Sequence, residues 1–239
     1  MARMPRVQYS GAIHHVTARG ASRATIFRTD RDYLVFLATL AGAVGSTGWE
    51  CLAYCLMPNH YHLLLETPET NLSEGMYQLN STYARRFNWE HDHTGHVFQS
   101  RFHATLVTGE AHLFEALRYV VLNPVRGAIV DRPDDWRWSS YRATVGLRPS
   151  PGWLQSARVL ALFAAEAGTA QREYRTFVHN GIGVPPSGAP PLDQLVTSVS
   201  PAEIVAASRD HGYTQATIAR HLGVSQATIS RIVRAATRE

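Results

Sequence analysis

The 239-residue chain contains no lysine. All 23 of its basic residues are arginine, set against 19 Asp and Glu, for a formal charge of +4. A surplus that small permits a polyanionic partner without demanding one. Every cationic phosphate contact from a side chain, protonated histidine apart, therefore falls to the planar, bidentate guanidinium. GC-rich coding would produce the same bias with no functional meaning. Cysteine is nearly absent as well. Cys51 and Cys55 alone rule out a disulfide framework and a four-cysteine zinc site. Both are expected as buried thiols in a strand. No apolar run approaches the roughly 20 residues of a membrane helix, and the first residues lack the apolar core of a secretory signal. These absences predict a cytoplasmic protein with no membrane partner. What is present suffices for a real core: 45% hydrophobic and 18% charged residues. The length allows a main domain plus a small one.

Local patterns divide the chain. Ala12–Arg19 reads as a strand followed by Gly20. A helix is predicted from Asp30 to about Val44, with Tyr33, Phe36, Leu37 and Leu40 on one face. Residues 49–57 and 60–67 read as two strands joined at Pro58-Asn59, a hairpin turn signal. A second helix spans 71–91, a further strand 102–107, and a third helix 110–122, stopped at Asn123-Pro124. The order βαββαβα predicts an α+β domain, an antiparallel sheet with helices on one face. Residues 131–141 read as a loop, 153–167 and 169–180 as two more helices, and the Gly- and Pro-rich 181–191 as a linker. The expected division is a main domain over 1–145, a helical extension over 146–180, the linker, and a small all-α unit over 192–239.

Two features carry chemistry. In a strand, residues two apart share a face. His60 and His62 of NHYHLLLE then project together, roughly 6.5–7 Å apart along the strand, and can close on one divalent ion. Taken alone, such a pair is as well explained by two histidines on a half-exposed strand. On the 110–122 helix, at about 100° per residue, Leu113, Phe114, Leu117, Val120 and Val121 share one arc. His112, Glu115, Tyr119 and Asn123 share the opposite one. Tyr119 and Asn123 are neighbours at i and i+4, so a phenol nucleophile lies beside an oxygen that can ligate a metal. Alone, this is also an ordinary amphipathic helix with one half-exposed tyrosine.

Together with their flanks the two features are specific. NHYHLLLE and RYVVLNPVRG (residues 118–127) resemble the REP-associated tyrosine transposases, within the single-tyrosine transposases of the insertion-sequence-200-like type. These are named HUH for histidine, hydrophobic residue, histidine. IHHVTARG, YCLMPNHYH, GHVFQSRF and WRWSSY match in order, so the resemblance covers about residues 10–145. It implies a ferredoxin- or RRM-like fold and a metal-dependent single-strand DNA transesterase. It implies His60 and His62 as metal ligands with Asn123 as the third, Tyr119 as the nucleophile, and Mg or Mn as the cofactor. The substrates it implies are single-stranded or hairpin-forming palindromic DNA, handled by a monomer or a homodimer. Attack by Tyr119 would leave a 5′-phosphotyrosine and a free 3′-hydroxyl. Because that link keeps the bond energy, reversal rejoins DNA without ATP. Tyr141 of WRWSSY is the rival nucleophile. A non-catalytic DNA-binding regulator derived from a transposase is the alternative function, and a hydrolysing phosphodiesterase a third.

Arg19, Arg85, Arg86 and Arg101, among interspersed aromatics, are candidates for holding a single strand, where a stacked base contributes roughly 1–3 kcal/mol. His14 and His15 adjoin, so only one can face the active side; a structural role is expected. His91 and His93 are expected in solvent. In the last unit, Ser200 to Glu203 reads as a capping box. TQATIARHLG, with Gly223 in the turn, and SQATISRIVRA form a helix-turn-helix pattern. Gln226, Ala227, Ser230, Arg231 and Arg234 lie along its outward face, placed to read duplex DNA. A packing or dimerisation bundle is the plainer alternative.

Overall fold

The computed structural model describes residues 9–184, 192–209 and 213–236, and of Arg209, Ala216 and Arg234 the backbone only. Four strands, β1 (Ala12–Arg19), β2 (Glu50–Met57), β3 (His60–Thr67) and β4 (His103–Val107), form one antiparallel sheet in the order β2-β3-β1-β4. The first three helices are α1 (Asp30–Thr47), α2 (Leu72–Glu90) and α3 (Gly109–Arg126). The α+β class and antiparallel sheet are as expected.

The helices are not confined to one face, and here the expectation is corrected. Seven consecutive residues of β2 are buried, and five of β3. A strand buried that continuously is covered on both sides. Tyr61, Leu63 and Leu65 pack with Phe36 and Leu40 of α1 and with Met76, Leu79 and Tyr83 of α2. Leu64 and Cys55, on the other side, pack with Leu117, Val120 and Val121 of α3. The helix after the edge strand β4 thus crosses to the free face, a path that periodicity within α3 does not reveal. Cys51 and Cys55 are buried free thiols, as expected.

The third helix also runs past its predicted stop. Pro124 lies inside α3, which continues to Arg126, with Gly127 N–H closing on the Asn123 carbonyl at 2.7 Å. A proline removes one backbone donor. Its neighbours Asn123 and Val125 are buried and hold the turn helical. The α1 N-terminus is closed by Asp32, whose carboxylate accepts from the backbone N–H of Arg28 and Thr29, each at 2.8 Å. The same carboxylate meets His91 Nε2 at 2.8 Å, so His91 is a partly buried partner of Asp32 and not a free solvated side chain. His93 Nδ1 is likewise engaged, by Asn88 at 2.9 Å.

After a short α4 (Tyr141–Thr144), the extension forms α5 (Ser156–Ala161) and α6 (Ala167–His179). The first is shorter than the helix expected over 153–167. Tyr174 and Val178 of α6 join the cluster around α3. The remaining helices are α7 (Leu192–Leu195), α8 (Pro201–Arg209), α9 (Gln215–Leu222) and α10 (Gln226–Ala235), built on Ile204, Ile218, Ile229 and Val233. Gly223 ends α9 at φ 65°, the left-handed turn that glycine adopts freely. Glu203 reaches back to accept from Thr197 and Ser198 N–H at 2.9 and 3.2 Å, instead of closing a box with Ser200. Of the expected linker, residues 185–191 lie outside the described residues. Ser208 Oγ donates to the Arg126 carbonyl at 3.1 Å, so α8 touches the end of α3.

Candidate active site

Strand alternation turns His60 and His62 toward α3, and their ring centroids lie 5.0 Å apart. Tyr119, from α3, brings its ring to 5.6 Å from that of His62. Asn123 follows one turn later, 9% exposed, its Nδ2 donating to the Tyr119 carbonyl at 3.0 Å. That bond leaves the amide oxygen as the atom able to ligate. The two features found separately along the chain thus meet across the sheet–helix gap.

The structure adds His15. In the antiparallel register Thr17 pairs with His62 and His15 with Leu64, so His15 is the diagonal neighbour of His62 on the same face. Its Nε2 lies 2.9 Å from His62 Nδ1, and its ring is 5.5 Å from that of Tyr119. The purely structural role expected of the His14–His15 pair is therefore incomplete: His15 faces the site. The doublet IHHV was the available signal, but choosing between the two histidines needs the register.

These contacts assign tautomers. His60 Nδ1 meets Asn59 Oδ1 at 2.7 Å, and an amide oxygen only accepts, so His60 carries its proton on Nδ1 and a lone pair on Nε2. His62 likewise has Nδ1 engaged, while its buried Nε2 has no hydrogen-bond partner. Burial pushes the His60 pKa down to about 3, with the Arg19 charge adding to the effect. Burial lowers His62 well below its ordinary value, helped by His60, His15, Arg19 and Arg126. His15 falls to about 4, again mainly through burial, with His103 and His112 contributing. All three imidazoles are neutral at pH 7, the form that binds metals. Among the described residues no group of three or more His, Cys, Asp and Glu is arranged to hold a metal ion.

Tyr141, the rival nucleophile, is fully buried, with its hydroxyl 3.0 Å from His179 Nε2. Burial raises its pKa. It cannot reach a DNA strand. Arg19 pairs with His60 in the sheet and its charge acts on both site histidines. Arg85 and Arg86 are exposed on α2, the side of the sheet away from the histidines; Arg86 lines a cleft of about 450 Å³ between α1 and α2. Arg101 lines a different cleft, of about 930 Å³, between α2 and residues 95–102, beside the exposed Tyr77. On α10, Gln226, Ala227 and Arg231 are exposed and Ser230 half-buried, while Ile229 and Val233 face inward. The Arg234 side chain lies outside the described residues.

Residues 8–122 match the family model described as "Transposase IS200 like". Over that stretch the chain is similar to the IS200-like transposases. A curated Haemophilus influenzae protein named for the REP-associated tyrosine transposases is 28% identical over 108 residues, 41% of this chain and 61% of that protein. The match therefore spans under two thirds of that relative's length. A solved structure titled as a REP-associated tyrosine transposase bound to a REP hairpin superposes with a TM-score of 0.54 at 19% identity. It covers 62% of this chain and 89% of the other, and shows that the two share a fold. Residues 202–239 match "Sigma-70, region 4", in keeping with the helix-turn-helix form of the last helices. Among the described residues no helix is long and apolar enough to cross a membrane.

Proposed function

We propose that this protein is a metal-dependent transposase that cleaves and rejoins single-stranded DNA at hairpin-forming palindromes through a covalent Tyr119 intermediate. The observation that carries this reading is a pair of imidazoles, His60 and His62, with ring centroids 5.0 Å apart and each Nδ1 engaged, beside a tyrosine whose ring lies 5.6 Å from that of His62. His60, His62 and the Asn123 oxygen would hold a divalent ion, Mg or Mn. Bound there, such an ion would supply positive charge to polarise the scissile phosphate and stabilise its developing charge. The residues themselves do the rest. Tyr119 Oη forms the new P–O bond, the P–O3′ bond breaks, and the proton lost by the phenol is matched by one taken up at the 3′ oxygen. Arg19, one strand over from His60, is placed to hold the strand beside the site. Arg101, Tyr77 and the cleft they line suit the flanking single strand, with a guanidinium for phosphate and an exposed ring for a base. The outward face of α10 suits duplex DNA.

The test is a labelled hairpin oligonucleotide with Mn²⁺, with Mg²⁺, and with EDTA. Wild type should form a protein–DNA adduct only with metal. Tyr119→Phe should lose adduct and cleavage and still shift the hairpin. Binding without cleavage in wild type would mark a regulator, and cleavage without adduct a hydrolase.

A further inference from the structure

Arg126 sits two turns beyond Tyr119 on the same stripe of α3, in the last turn that the proline was expected to prevent. It is 6% exposed. Among the described residues its Nε and Nη1 are buried with no hydrogen-bond partner. Its Cζ lies 4.8 Å from the centre of the Tyr119 ring. Burial pulls its pKa down to about 10, and its charge is felt at His62. Two donors of one guanidinium left unsatisfied in a protein interior are costly. A cation held in this state is waiting for an anion. The cation–π contact with Tyr119 offsets only part of the lost hydration. The buried arginine is therefore explained by a ligand that brings negative charge to within reach of Tyr119.

We propose that Arg126 is a further catalytic residue, binding a non-bridging oxygen of the scissile phosphate through one of its unpartnered guanidinium N–H donors. The inference rests on the strand-transfer reading above. A guanidinium presents parallel N–H groups that match two phosphate oxygens. Charge accumulates on those oxygens as the Tyr119 Oη–P bond forms and the P–O3′ bond breaks, so the contact strengthens toward the transition state.

The experiment uses the full chain and two hairpin oligonucleotides that differ at one atom. One carries an ordinary phosphodiester at the cleavage position. The other carries a methylphosphonate there, in which a methyl group replaces one non-bridging oxygen and removes the charge. On the phosphodiester, Arg126→Met should slow adduct formation by ~100- to 1,000-fold, the loss seen on removing one transition-state donor. On the methylphosphonate, wild type and Arg126→Met should differ by under ~10-fold, because the charge that Arg126 neutralises is gone. Arg126→Lys, which keeps the charge and the volume, should fall between them on the phosphodiester; should Arg126→Met fail to fold, Arg126→Lys carries the comparison. An equal loss on both substrates would show that Arg126 acts through the fold and would overturn the proposal, leaving the strand-transfer reading intact. Absence of any adduct with wild type would overturn both.

Discussion

Replacing His15 should weaken metal binding without touching a ligand. The His62 imidazole can bind a metal through Nε2 only in the tautomer with its proton on Nδ1. His15 Nε2, 2.9 Å from His62 Nδ1, is the atom that can receive that proton. His62 is 6% exposed, so water does not readily substitute. In His15→Leu, the metal-binding tautomer must keep a buried N–H without an acceptor, a cost of about 1–3 kcal/mol. At about 1.4 kcal/mol per tenfold, metal affinity should fall by ~5- to 150-fold, which overlaps the ~10- to 100-fold typical of lost outer partners of metal ligands. His15→Gln supplies an amide oxygen as acceptor and should stay within a few-fold of wild type. The assay is calorimetric titration of Mn²⁺ into the DNA-free protein, so no catalytic step enters the reading. His60→Ala sets the floor. If His15→Leu binds Mn²⁺ as tightly as wild type, the tautomer argument is wrong and His15 is only a packing neighbour of Tyr119.

Other consequences are simpler. Tyr141→Phe should cost about 0.5–1.5 kcal/mol in urea unfolding, through the lost contact with His179, and leave adduct formation unchanged; a loss of adduct would reinstate Tyr141 as a nucleophile. Gly75→Ala should destabilise by about 1–3 kcal/mol, because its Cβ would sit 2.3 Å from Trp49 Cζ2, on an indole pinned by a 2.7 Å hydrogen bond to Asn71; an unchanged melting curve would contradict the packing. Arg231→Ala should weaken duplex binding similarly across sequences and reduce the salt slope by about 1 if it meets a phosphate, as measured by anisotropy at several salt concentrations, and should leave hairpin cleavage intact.

What could be read in advance was whatever a local period controls. The two-residue period of NHYHLLLE placed His60 and His62 on one face, and the four-residue spacing of α3 put Asn123 beside Tyr119. What could not be read depends on partners distant in the chain. Nothing near residue 91 announces that Asp32 will receive its imidazole. The choice between His14 and His15 waits on the β1–β3 register. Tyr141 and Tyr119 are equal as phenols; only the packing of α6 over the first distinguishes them. Arg126 was hidden by a local rule that holds on average: proline ends helices, so a helix expected to stop at Asn123-Pro124 does not reach it. The buried last turn of α3 overrode that rule.

The overridden rule and the unsatisfied groups fall in the same place. Local conflicts that survive in a folded chain concentrate where function requires them. Here they have opposite signs. His62 offers a buried lone pair with nothing to receive it, which calls for a cation. Arg126 offers two buried donors with no acceptor, which calls for an anion. A metal ion alone would satisfy the first and, by adding positive charge, worsen the second. A phosphate alone would satisfy the second and leave the first. A phosphodiester bound together with a metal ion would satisfy both. The site is thus complementary to the pair rather than to either member, and binding should be cooperative. Mn²⁺ should bind tighter in the presence of a hairpin carrying an uncleaved phosphodiester than without it, and the hairpin should gain affinity from Mn²⁺ by the same factor. Tyr119→Phe, which cannot react, is the protein in which to measure both. Independent binding of the two ligands would mean that the buried histidine and the buried arginine serve different sites.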